Sequence, residues 1–103
     1  MSKYRAIKTD GYSSKREAKR AQELQFLERA GVILDLQEQV AFVLAPSVKI
    51  QGRKRPALKY IADFVYRENG KTIIEDSKGV ITKEYRIKRH LMMSVHSIEI
   101  RET

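Results

Sequence analysis

Tyr60-Ile-Ala-Asp-Phe-Val-Tyr-Arg-Glu-Asn-Gly-Lys-Thr-Ile-Ile-Glu-Asp-Ser-Lys78 decides how this chain folds. Two runs rich in apolar and β-branched residues flank Asn69-Gly70, the strongest short-range signal for a β-hairpin. With that pair as the turn, residues whose numbers sum to 139 face each other, and Asp63 then lies opposite Asp76. Directly opposed residues have Cβ atoms roughly 4.5–5.5 Å apart, and like charges at that distance repel. A fold that keeps both carboxylates there is expected to set a cation between them. Lys78, two residues past Asp76, belongs to the same strand face. The hairpin therefore offers Asp63, Asp76 and Lys78 together as a candidate metal site with a cationic neighbour. The plainer alternative is a solvated strand face carrying ordinary charges. Against it, both aspartates interrupt apolar strands in which aspartate is a poor fit. Register is the sensitive point, since a bulge would substitute Glu75 for Asp76.

At 103 residues the chain is expected to form one domain over 1–103 with a single core. Lys and Arg outnumber Asp and Glu by 21 to 13, giving a net charge of +8 that favours a polyanionic partner, nucleic acid first. No run of 18 apolar residues occurs, so no membrane span is expected, and no apolar h-region follows the basic start. A cytoplasmic location is the matching expectation. Without cysteine, disulfides, thiolate catalysis and zinc–cysteine sites are excluded. Two histidines make a histidine-based centre a poor prospect, so a bound metal should be a hard one held by oxygen, Mg²⁺ or Mn²⁺.

Outward from the hairpin, residues 1–12 form a basic lead-in with a turn at Asp10-Gly11. Ser14-Lys-Arg-Glu17 fits a capping box opening a helix over 14–30, with Ala18, Ala21, Leu24 and Leu27 at helical spacing and Gly31 as the stop. Glu17 can serve as cap, as site residue, or as both. Residues 32–36 and 39–44 read as two strands, residues 48–50 as a third short run, and residues 51–56 as an exposed loop. Its Arg53, Lys54 and Arg55 are either a solvated charge run or phosphate contacts. A second helix over 82–95, capped by Thr82, should bury Tyr85, Leu91, Met92 and Val95. Its Lys88 and Arg89 are placed to steer a nucleic-acid backbone. A short strand at 98–101 follows, and a helix between two strands of one sheet implies a crossover.

A helical glutamate, an Asp on one strand and Asp-x-Lys on the next, in an αβββαβ order, resembles the PD-(D/E)XK nuclease superfamily. Asp10-Gly-Tyr-Ser-Ser-Lys-Arg-Glu-Ala18, Tyr60–Tyr66, Glu75-Asp-Ser-Lys-Gly79 and Tyr85-Arg-Ile-Lys-Arg-His90 are similar to a small phage and prophage family placed there. The resemblance spans nearly the whole chain and implies an α/β (α+β), restriction-endonuclease-like core with a mixed sheet flanked by helices. It implies that Asp63, Asp76 and Lys78 are catalytic. Glu17 matches the helical acid of Holliday-junction-resolvase-type enzymes. Glu17, Asp63, Asp76 and the Ser77 carbonyl would hold the metal, with Gln39 and Glu75 as possible support. The residue before Asp63 is Ala62, where the superfamily often has proline. The implied activity is Mg²⁺-dependent hydrolysis of DNA phosphodiesters, branched or duplex, by a homodimer acting in phage DNA processing within a bacterial host. A non-catalytic basic DNA-binding protein is the competing expectation, and a structural adaptor the third.

Overall fold

The computed structural model describes residues 11–103, so the lead-in up to Asp10, and with it half of the expected Asp10-Gly11 turn, lies outside the described residues. Two helices and two sheets make a mixed α+β fold. The elements are α1 (Lys15–Arg29), β1 (Leu34–Ala45), β2 (Val48–Ile50), β3 (Arg53–Arg55), β4 (Leu58–Glu68), β5 (Lys71–Asp76), α2 (Lys83–His96) and β6 (Arg101–Glu102). The four-stranded sheet runs β1-β4-β5-β6, and β2 pairs only with β3. Without that small ribbon, the order is αβββαβ. No helix among the described residues is long and apolar enough to cross a membrane.

The central hairpin forms as its turn chemistry demands. Asn69 and Gly70 have φ of 53° and 77°, the paired positive values of a type I′ turn. The ladder runs from Glu68↔Lys71 to Phe64↔Glu75, which sets Asp63 opposite Asp76. At that point backbone pairing stops, and the Ser77 N–H donates instead to the Asp63 carboxylate at 2.9 Å.

Two sequence expectations are corrected beside it. The two strands read at 32–36 and 39–44 are one strand, β1, bulged rather than turned. Asp35 and Gln39 take left-handed φ of 57° and 56° within it; Asp35 lies in the bulge between Leu34 and Gln37 that takes up one extra residue, while the pairing with β4 runs on in register across Gln39. The loop read at 51–56 contains β3. Gln51 and Gly52, with φ of 51° and 77°, make a second tight turn that returns the chain from β2 to β3.

Each helix builds its own core cluster. Ala21 and Leu24 of α1 pack with Ile33, Phe64 and Tyr66. Tyr85 and Met92 of α2 pack with Leu44, Tyr60, Ala62 and Ile74, and with Ile100. Strict alternation would send Tyr60, Ala62, Phe64 and Tyr66 to one face. They divide instead between the two clusters, and the division falls at Asp63, opposite the left-handed Gln39 of β1. Val95, expected in the core, is half exposed; the last turn of α2 packs on β1 through His96 instead, which lies 2.7 Å from the Val43 carbonyl and edge-on to Phe42. The crossover is as expected: α2 joins β5 to β6, which pair in parallel through Glu75↔Arg101 and Asp76↔Glu102. β6 begins at Arg101 rather than at Ile98.

Candidate active site

Glu17 enters the site from the first turn of α1. Ser14 caps that helix by accepting the Glu17 N–H at 3.1 Å, but the reciprocal half of a capping box is missing. The buried Glu17 carboxylate accepts from Ser13 Oγ at 2.7 Å and from Gln39 Nε2 at 3.0 Å. It thus bridges the residue before the cap of its own helix and β1 of the sheet.

Asp63 and Asp76 arrive from β4 and β5. Gln39 Nε2 also lies 3.5 Å from Asp63 Oδ1, so one amide group stands between the Glu17 and Asp63 carboxylates. The left-handed backbone at Gln39 is what delivers that amide here. Asp76, almost wholly buried, accepts from the Tyr60 hydroxyl. Lys78 Nζ lies 3.3 Å from Asp76 Oδ1 and 4.2 Å from the centre of the Tyr85 ring, an ammonium held between a carboxylate and an aromatic face.

Burial pushes the Asp63 carboxyl up to about 7, with Asp76 and Glu17 adding to the rise through their charge and the Ser77 N–H opposing it. Burial together with the Asp76 carboxylate likewise raises the Tyr60 hydroxyl, which stays a proton donor. A cleft of about 330 Å³ opens over Glu17, Asp63, Asp76 and Lys78, with Lys59 and Lys88 among its walls.

The arrangement gathers the four residues read from the sequence as catalytic, and Gln39 with them. Glu75 goes elsewhere. It faces Phe64 across the hairpin and is fully buried against Arg20, whose Nε and second guanidinium nitrogen donate at 2.6 and 3.1 Å. Tyr66 and Thr103 hydroxyls complete its shell. Burial works to raise the Glu75 pKa, and the Arg20 and Tyr66 hydrogen bonds overcome it, leaving it below the ordinary value. Lys88 reaches the cleft wall while pairing with Glu84 at 3.1 Å. Arg89 is engaged with Glu102 at 2.8 Å and stands near the Tyr85 ring. Arg53, Lys54 and Arg55 lie on the separate ribbon, all of them exposed. Four contributors escaped sequence reasoning: Ser13, Lys59, Tyr60 and Tyr85. Alternation places Tyr60 on the face opposite Asp63, and only the break at that residue brings its hydroxyl to Asp76.

Among the described residues, no three Asp, Glu or His side chains are drawn around one point tightly enough to ligate an ion as they stand. The acids are linked two by two, Glu17 to Asp63 through the Gln39 amide and Asp63 to Asp76 across the hairpin. The donor set nevertheless fits a hard divalent cation in kind. It is all oxygen. The Gln39 amide group, a partial positive charge, stands between two carboxylates. Ser77 Oγ is buried with no partner beside them.

No curated protein matches the chain. Residues 1–103 match a family described as "Protein of unknown function (DUF1064)", and the chain belongs to that family.

Proposed function

We propose that this protein is a metal-dependent deoxyribonuclease of the PD-(D/E)XK type. The observation that carries the reading is the opposition of Asp63 and Asp76 at the open end of the hairpin, with Lys78 at 3.3 Å from Asp76 and Glu17 joined to Asp63 through Gln39. The order of elements in the main sheet and the Glu…Asp…Asp-x-Lys order along the chain support the superfamily assignment.

Glu17, Asp63, Asp76 and the Ser77 carbonyl would hold Mg²⁺ or Mn²⁺, which when bound acidifies water and neutralises phosphoryl charge. The chain's own groups do the rest. The Ser77 N–H and the Tyr60 hydroxyl fix the two aspartates in place, so little rearrangement is needed at the moment of reaction. Lys78 presents an ammonium to the phosphoryl oxygens and opposes the negative charge that grows as water attacks phosphorus and the P–O bond breaks. Lys59 and Lys88 on the cleft wall meet neighbouring phosphates.

A cleft this small has one strand's phosphate to cut, so cleavage of both strands calls for two copies, and a homodimer acting on branched or duplex DNA in a bacterial host's cytoplasm is the fuller form of the reading. Incubation with branched and linear DNA, with Mg²⁺ or EDTA, tests it. Metal-dependent products are expected, with Asp63→Asn and Asp76→Asn each slowing cleavage by at least roughly 10²–10³-fold while DNA binding persists. Salt-sensitive binding with no products in any metal would leave the competing reading, a basic DNA-binding protein without chemistry.

A further inference from the structure

The β2–β3 ribbon packs into neither core cluster. All six of its strand residues are exposed, and it continues the β1–β4 ribbon past Pro46 and Pro56. The described residues accordingly extend 52 Å along their longest axis, and their radius of gyration of 15.7 Å exceeds the about 13 Å of a compact domain this long. An isolated two-stranded hairpin is marginal in water. A chain that projects one is expected to have something to set against it.

The charges on this arm are one-signed. Between Glu38 and Asp63 the sequence contains Lys49, Arg53, Lys54, Arg55 and Lys59 and no carboxylate. Lys49 and Lys54 are direct cross-strand partners, a repulsive placement unless an anion lies over them. Val48 and Ile50 pair with Arg55 and Arg53, so the other face of the ribbon alternates apolar and guanidinium groups, with Val48 and Ile50 about half exposed. Apolar and guanidinium side chains together suit base edges and thymine methyls, and a two-stranded ribbon has the width that a major groove of about 12 Å admits.

We propose that the β2–β3 arm enters the major groove of a DNA duplex flanking the site of cleavage. This rests on the reading of the chain as a DNA-acting protein and adds the requirement that its substrate carry a double-stranded arm. β4 runs directly from the cleft to the arm: Lys59 lies in the cleft wall, and Gly52 at the tip precedes Asp63 by 11 residues. Strand-like chain of that length spans about 36 Å, close to one helical turn of duplex. The substrate so defined has at least about ten base pairs beside the scissile phosphate.

The test measures binding in EDTA, so that it does not depend on cleavage. Wild-type protein is compared with Lys49→Ser/Arg53→Ser/Lys54→Ser/Arg55→Ser on duplexes of about 8 to 30 base pairs, on single strands, and on duplex preloaded with methyl green, which occupies the major groove. Wild-type protein should displace methyl green and bind duplexes longer than about ten base pairs more tightly than shorter ones. The quadruple variant should do neither, and its salt dependence on duplex should flatten by about 0.9 in log–log slope for each phosphate it no longer neutralises. Lys49→Ser/Lys54→Ser alone serves if the quadruple variant does not fold. An unchanged slope, displacement of a minor-groove ligand instead of methyl green, or a wild-type dimer that the variant splits without loss of DNA binding would each overturn the proposal. Methyl green displacement by a protein that never cuts DNA in Mg²⁺ would uphold the arm and remove the nuclease.

Discussion

At Asp63 burial and two neighbouring carboxylates act against a single backbone N–H, and the balance lifts the carboxyl from its ordinary 3.8 to about 7. The sign of the consequence follows from proton counting. Between those two values the folded protein holds a proton that the unfolded chain has released, so ionising Asp63 as pH rises through this window costs stability. Metal-free protein should therefore lose thermal stability between about pH 4 and 7 through this residue. A bound divalent cation should restore it, most strongly at the alkaline end, where the carboxylate it needs is already ionised. Asp63→Asn should flatten the decline and abolish the Mg²⁺-induced rise in Tm. Glu75 and Glu102, held below the ordinary carboxylate range, act in a separate window and withdraw stability only as pH falls below about 4.5. Differential scanning fluorimetry of the two proteins across pH, with and without Mg²⁺, is sufficient. Parallel curves would mean that Asp63 is neither strained nor a ligand.

At the scale of elements, the Arg20–Glu75 pair joins α1 to β5, and Thr103 Oγ joins the segment after β6 to the same carboxylate. The Thr103 backbone also bonds Asp76 O and Lys78 N, so the stretch bearing the site's acid and amine is braced from its outer edge. Arg20→Met would leave Glu75 wholly buried without its counter-charge, a change that costs about 3–5 kcal/mol in urea unfolding. Adding Glu75→Leu should recover part of that loss. Glu23, the exposed partner of the same arginine, should cost under about 1 kcal/mol as Glu23→Ala. If both single variants cost the same, the pair is not the brace described. This pairing was not legible in the sequence, because it joins positions 55 residues apart and nothing local marks it. The β4–β5 hairpin was legible down to its register, because Asn-Gly fixes turn type and turn type fixes pairing. The β2–β3 turn was not: Gln51-Gly52 is a weak turn signal, and Arg-Lys-Arg has little strand propensity. The continuity of β1 was hidden for a similar reason, since Gln37-Glu38 looks like a turn and is in fact part of a bulged strand. Glu17, Asp63 and Asp76 were placed correctly on their elements, but Lys78, expected on the strand, lies just past it, since β5 ends at Asp76. Tyr60 could not be placed, because the rule of alternation fails at the residue where the site is built.

On the scale of the whole molecule, the acids lie on the seam between two cores. Glu17 belongs to the helix of one cluster, Asp76 lies against Tyr60 of the other, and Asp63 separates Ala62 from Phe64 where the clusters part. A cation shared by these side chains would tie the two halves together, whereas in its absence like charges face each other across the joint. Ion binding should then show as a change in cooperativity, not only in total stability. In native-state hydrogen exchange without metal, amides of α1 and of α2 are expected to open with different free energies. With Mg²⁺ at about 100 times its Kd, global stability should rise by about 2.7 kcal/mol. The two helices should also converge on a common opening energy. In Asp63→Asn they should stay apart at any Mg²⁺ concentration. A metal that merely settled on the acidic groups of one half would protect one helix and leave the other unchanged, and that pattern would contradict a site built across the seam.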